Sequence, residues 1–180
     1  EGEVVLDLGS GGGKICYIAA QIVGAAGKVL GVDCNDEMLA LARKYQGQIA
    51  DTLGYDAVQF LRGRIQDLAL DLDLLDKYLA EQPATSSSDW LRVQEYSHHI
   101  RETAPLVASD SIDVIVSNCV LNLVHQEDRT QLFSEMFRVL NRGGRVVISD
   151  IVSDEDVPDH LRHDSRLWSG CISGAFREDK

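Results

Sequence analysis

The chain has 180 residues, 44% of them hydrophobic, enough for one globular domain with a real core. Its 29 acidic against 17 basic residues give a net charge of −12, which repels a phosphate backbone and argues against nucleic acid as a partner. No stretch approaches the roughly 20 apolar residues of a membrane span, no basic-then-apolar signal opens the sequence, and the four cysteines lack zinc-ribbon pairing, so a cytoplasmic protein with free thiols is expected.

Short apolar runs alternate with helix-period segments, the pattern of βαβ units around a mostly parallel sheet. Residues 4–8 predict the first strand, and the glycines of LDLGSGGGK then open a helix over 14–23. A second strand is expected at 28–32, a helix at 36–53 and a third strand at 57–61. Residues 68–109 break the rhythm. Leu68, Leu72, Leu75 and Leu79 have helical spacing, as do Trp90, Val93, Ser97 and Ile100, and between them EQPATSSSD reads as a loop in which Ser86 and Asp89 are spaced as a capping box. A helical hairpin inserted before the fourth strand follows, either a surface ornament or a lid over a ligand site. Within it His98 and His99 are adjacent, point different ways on a helix and read as solvated. Strand four is expected at 112–117, a helix at 128–140, and strand five at 145–149 after the turn at Gly143 and Gly144. One domain covers 1–180 on this reading. The sequence opens at Glu1 almost directly on a strand, so a piece of a longer chain is expected.

The glycine run discriminates between nucleotide-binding motifs. A dinucleotide fingerprint starting at Gly9 or at Gly11 would need a third glycine where Lys14 or Cys16 stands, and a Walker loop fails because Ile15 follows Gly13-Lys14. What remains is G-x-G-x-G over Gly9, Gly11 and Gly13, preceded by Asp7. Asp33 follows Gly13 by 20 residues in VLGVDCND, where an acid can accept hydrogen bonds from ribose hydroxyls. In open parallel sheets ligands lie beyond the carboxyl ends of the strands. Strands three and four end there in LRGRIQDL and VSNCVLNL. The cysteines gather at the same edge: Cys16 in the first turn after the glycines, Cys34 after Asp33, Cys119 after strand four and Cys171 beyond strand five. Any one alone reads as a small core hydrophobe. Several together make a thiophilic ligand the alternative.

The G-x-G-x-G loop preceded by Asp7 resembles the first motif of class I S-adenosylmethionine-dependent methyltransferases. SNCVLNLV, FRVLNRGGRVVISDIVSDEDVP and LWSGCISGAF are more specific and resemble the arsenite S-adenosylmethionine methyltransferases, bacterial members above all, with a likeness over 1–67 and 110–180. The resemblance implies an α/β Rossmann-like class I methyltransferase core, sheet order 3-2-1-4-5, helices on both faces and S-adenosylmethionine as cofactor. That fold usually continues with two further strands. It implies cofactor contacts at Asp7, Gly9, Ser10, Gly11, Gly13, Asp33, Cys34, Met38, Ile65, Gln66 and Asn118, with Gln66 standing where many members carry an acid near the adenine. It also implies that Cys119 and Cys171 bind trivalent arsenic, delivered as arsenite or its thiol conjugate. Cys16 would supply a third thiolate; some members carry cysteine there, others inside the loop where Ser10 stands. An arsenic lone pair attacks a methyl without losing a proton, so no general base is required, and His125 reads as a loop residue. Two rivals stay open: a small-molecule O-, N- or C-methyltransferase with structural cysteines, and a noncatalytic module that binds S-adenosylmethionine or arsenic.

Overall fold

A computed structural model describes residues 1–162 and 164–179 of the chain. In chain order the elements are β1 (Val4–Leu8), α1 (Lys14–Val23), β2 (Lys28–Asp33), α2 (Asp36–Leu53), β3 (Val58–Arg62), α3 (Leu72–Glu81), α4 (Ser87–Thr103), β4 (Ile112–Asn118), α5 (Arg129–Val139) and β5 (Leu140–Ser149). Two-residue strands β6 (Val152–Ser153) and β7 (Phe176–Arg177) flank the short helices α6 (Asp159–Arg162) and α7 (Ser165–Ser169). The first five strands form one parallel sheet ordered β3-β2-β1-β4-β5, as expected for the class I methyltransferase core.

Side-chain alternation along β1 explains the layering. Leu6 and Leu8 point into a cluster completed by Ile115 of β4 and by Leu132, Met136 and Val139 of α5. Val5 points the other way, onto Cys16, Ala20 and Val23 of α1 and Leu39 and Ala42 of α2. Each strand residue thus serves one of two cores, and both faces of the sheet are covered. Asp7 shares the face of Val5, which directs a carboxylate toward α1 and has consequences at the site.

β5 starts earlier than the expected 145–149. Leu140 already pairs with Ile112, and an irregularity between Ile112 and Val114 absorbs the offset, with Gly143 at φ 83. The segment 68–109 is the expected hairpin, but its base is not ornament. Leu68 and Val107 are fully buried in the larger core, their backbones joined by the Val107 amide to the Leu68 carbonyl at 2.9 Å. Arg101 of α4 closes on the buried Asp67 at 2.8 Å. The helices themselves bury less: α3 has no buried residue, and Tyr78 stacks on Tyr96 with ring centroids 4.1 Å apart. Ser86 caps α4 as its spacing implied, its hydroxyl accepting from the Asp89 amide. Trp90, expected on the buried stripe of α4, is instead 57% exposed, because Val93, Ser97 and Ile100 carry that face. His98 and His99 are exposed as expected, with His98 beside Glu102. The hairpin is moored at the ligand edge: Arg62, the last residue of β3, meets Asp76 of α3 and Asp36 of α2.

Leu68→Ala should therefore cost about 2–5 kcal/mol in denaturant unfolding, whereas Trp90→Ala should stay within about 0.5 kcal/mol. Equal losses would mean that the hairpin packs as one unit with the core.

Candidate active site

Parallel pairing puts the ends of β1, β2, β3 and β4 on one edge, where Leu8 is level with Val32 and Ser117, and Asp33 with Arg62. The glycine loop is built against β2. The amides of Gly9 and Ser10 both donate to the Val32 carbonyl, at 2.9 and 3.1 Å, and the Gly11 amide donates to Asp33 Oδ2 at 2.8 Å. The Asn35 amide occupies the other oxygen, Asp33 Oδ1, at 2.8 Å. Each carboxylate oxygen keeps a second lone pair, so Asp33 can pin the loop and still accept from a ligand. Gly13 caps α1 at φ 84, a left-handed conformation, and a β-carbon there would run into the Phe60 ring. Among the described residues no side chain caps the first amides of α1, and none partners the buried Ser10 hydroxyl.

The other expected contacts divide by burial. Cys34 and Asn118 are exposed on the rim, and Met38 is 37% exposed in the first turn of α2. Asn35 caps that turn. Ile65 is buried in the larger core and can offer only a wall. The Gln66 amide oxygen is taken up by the Arg64 guanidinium, which donates to it. Asp7 and Cys16, both expected at the ligand, are corrected: they lie beneath the loop at 2% and 0% exposure, the Cys16 thiol donating to Asp7 Oδ2 at 3.3 Å. Burial, then the charge of Asp7, pushes the Cys16 thiol far above its usual range, so it remains a protonated core group. Burial pushes Asp7 itself up to about 6, Asp33 adding to the rise and the Cys16 hydrogen bond opposing it.

Cys119 and Cys171 do come together. Cys119 follows β4, is exposed, and donates its amide to the Ser149 carbonyl of β5 at 2.8 Å. Cys171 follows α7, and its thiol donates to the Cys119 carbonyl at 2.9 Å across 52 positions. Both residues hold left-handed φ values, 55 and 61, which cysteine seldom adopts. Burial, with Asp150 and Cys119 nearby, raises the Cys171 thiol above its ordinary pKa. Among the described residues there is no cluster of three or more His, Cys, Asp or Glu that could hold a metal ion. The thiol turn also touches the cofactor loop: Gly9 lies so close to Val120, the residue after Cys119, that a β-carbon on Gly9 would sit 2.5 Å from Val120 Cγ1. His125 is exposed and stacks on Trp168 with centroids 5.0 Å apart, in keeping with a loop role. Two residues at this edge had no sequence signal beyond a turn: Asn122, buried beside Cys171, and Arg62.

A methyltransferase-domain family model matches residues 1–93 and 87–180. The chain belongs to the methyltransferase-domain family. This methyltransferase domain is 38% identical to the arsenite methyltransferase of Aquipseudomonas alcaligenes over 98% of the chain and 40% of that protein. It is 32% identical to the arsenite methyltransferase of Mus musculus, over 96% of the chain and 37% of the relative. Among solved structures it superposes on the arsenic(III) S-adenosylmethionine methyltransferase of Chlamydomonas reinhardtii with a TM-score of 0.72, 30% identity, and coverage of 99% of the chain and 48% of that one. The chain thus spans about two fifths of the curated relatives it matches. Among the described residues no helix is long and apolar enough to cross a membrane.

The raised pKa of Asp7 sets a stability test for this domain. The folded state holds the Asp7 proton up to about pH 6, whereas an ordinary carboxylate near 3.8 releases it earlier, so ionisation of Asp7 opposes folding as pH rises between those values. Asp7→Asn should gain on the wild type by up to about 3 kcal/mol between pH 4 and pH 7 in parallel denaturant unfolding. A constant difference across that window would mean that Asp7 titrates normally.

Proposed function

We propose that this domain transfers a methyl group from S-adenosylmethionine to trivalent arsenic held by Cys119 and Cys171. The observation that carries the reading is contact: the Cys171 thiol rests on the Cys119 carbonyl, and the next residue, Val120, rests on Gly9 of the glycine loop. A thiophilic ligand on the pair and a nucleotide-type ligand on the loop would be neighbours.

The loop fits the cofactor. Asp33 offers spare lone pairs to ribose hydroxyls, and the first amides of α1 and the buried Ser10 hydroxyl, uncapped and unpartnered among the described residues, offer polar contacts. Met38 leaves an apolar surface for the purine. When bound, S-adenosylmethionine supplies an electrophilic methyl on a sulfonium. The chain's own work is binding and orientation. Arsenous acid condenses with the two thiols, forming two As–S bonds and releasing two waters, and the arsenic keeps its lone pair. That lone pair needs no proton removed, in keeping with a site edge where His125 is stacked on Trp168. Holding the pair rigid beside the loop supplies proximity, worth up to roughly 7–11 kcal/mol in ideal intramolecular cases. The third arsenic ligand then comes from solvent or from a small thiol, so arsenite or its thiol conjugate is the substrate. The names of the relatives support this substrate, and the fit of the loop supports this cofactor. The reading treats residues 1–180 as one domain working in a reducing cytoplasm that keeps all four cysteines free.

Incubating the chain with S-adenosylmethionine, arsenite and a thiol should yield methylated arsenic by mass spectrometry. Cys119→Ser and Cys171→Ser should each abolish the product while calorimetric binding of S-adenosylmethionine survives, because a hydroxyl is a poor soft-metal ligand. Cys34→Ser and Cys16→Ala should both retain turnover. Full activity in the first two variants would make the thiols structural and leave an O-, N- or C-methyltransferase.

A further inference from the structure

Resting on the reading that Cys119 and Cys171 chelate arsenic, we propose that Asn122 is the positioning residue that holds the two thiol-bearing segments in register. Asn122 sits in a one-turn helix, Leu121–Leu123, just beyond Cys119, and is fully buried. Its side-chain amide nitrogen spends both hydrogens on carbonyls of the far segment, Cys171 at 2.9 Å and Ile151 at 2.7 Å. Its own backbone amide donates to Asp150 at 3.3 Å. The orientation of the amide is forced, since an oxygen facing two carbonyls would be repelled. The cost is visible on the other side, where Asn122 Oδ1 is buried with no partner among the described residues. An apolar residue would avoid that orphaned acceptor, but it could not hold two carbonyls at once.

What these bonds hold is a strained arrangement. Cys119 and Cys171 both adopt left-handed backbone, which persists only where surrounding contacts over-determine it. The Cys119 amide is fixed on Ser149, the Cys171 amide on Trp168 at 2.9 Å, and the Cys171 carbonyl on Asn122. Asn122 is the link that reaches by side chain from the Cys119 turn to the Cys171 backbone. Its side-chain hydrogen bonds go to backbone carbonyls, so it acts through the placement of Cys171, and its loss should weaken two-thiol binding without changing the reactivity of the exposed Cys119.

The probe is phenylarsine oxide, a trivalent arsenical that needs two thiols, titrated into the full chain in thiol-free buffer at about pH 8. Asn122→Asp keeps the shape but loses the donors, and should weaken phenylarsine oxide binding by about tenfold or more, as two lost hydrogen bonds imply. In the same variant the alkylation rate of Cys119 by iodoacetamide and the affinity for S-adenosylhomocysteine should stay at the wild-type values. Asn122→Ser, which can satisfy one carbonyl, should fall between. A wild-type measurement covers poorly folded variants: bound phenylarsine oxide should slow hydrogen exchange of the Asn122 side-chain amide, since coupling is reciprocal. If the wild type binds the arsenical through Cys119 and the variants bind it equally well, or a lowered melting temperature is their only change, Asn122 is merely structural and the inference falls alone. Unchanged exchange on binding overturns it as well. If the wild type fails to bind phenylarsine oxide, or Cys119→Ser binds it undiminished, the reading of the thiol pair falls and takes the inference with it.

Discussion

Parallel pairing is the constraint on which everything else depends. In a sheet ordered β3-β2-β1-β4-β5, every strand runs the same way and every return crosses through helical or irregular chain, so every strand delivers its last residues to one edge. Ligand-facing groups remote in sequence then meet without any dedicated interaction between them. Gly9 and Val120 are in contact because β1 and β4 are neighbours in register, and the glycine has no β-carbon because that approach leaves no room for one. The same geometry brings Asp33 to the loop amide of Gly11.

The two thiol environments show how far position within that frame decides chemistry. Cys16 and Cys171 are both buried, yet Cys16 faces a carboxylate across the layer between α1 and the sheet, whereas Cys171 faces a carbonyl at the edge. In the first setting the proton is locked on sulfur beside Asp7, and the pair serves as a polar contact within an apolar layer. In the second the thiol has an exposed neighbour, Cys119, with which it forms the proposed arsenic-binding pair. The strain at Cys119 and Cys171 fits a site whose shape is set before the ligand arrives.

The parts of the fold carried by local pattern were legible in the sequence. Apolar strands, the glycine loop and the capping serine of α4 each follow from residues close together in the chain, and they stand where the sequence puts them apart from the early start of β5, which depends on a register offset against Ile112. The edge that gathers Cys119 and Cys171 was legible from strand order and from the SNC and LWSGC motifs. Cys16 was misjudged because a position in the first helical turn does not say which way its side chain points; alternation along β1 aims Asp7 at it, and only the packed layers reveal that. Leu68, read from its spacing as part of a helical stripe, belongs to the main core with Val107 because both lie outside the hairpin helices, in the segments that lead into α3 and out of α4. Asn122 carried no signal, because an asparagine after a strand reads as a turn residue whatever its amide reaches.

The central claim is that trivalent arsenic binds to this chain through sulfur at the edge where the glycine loop lies. Arsenic K-edge X-ray absorption of the chain loaded with arsenite in thiol-free buffer tests it most directly. The account predicts two sulfur neighbours and one oxygen at the arsenic, with the sulfur shell reduced when Cys119 or Cys171 is replaced by serine. An all-oxygen shell, or a sulfur shell indifferent to both replacements, would contradict it.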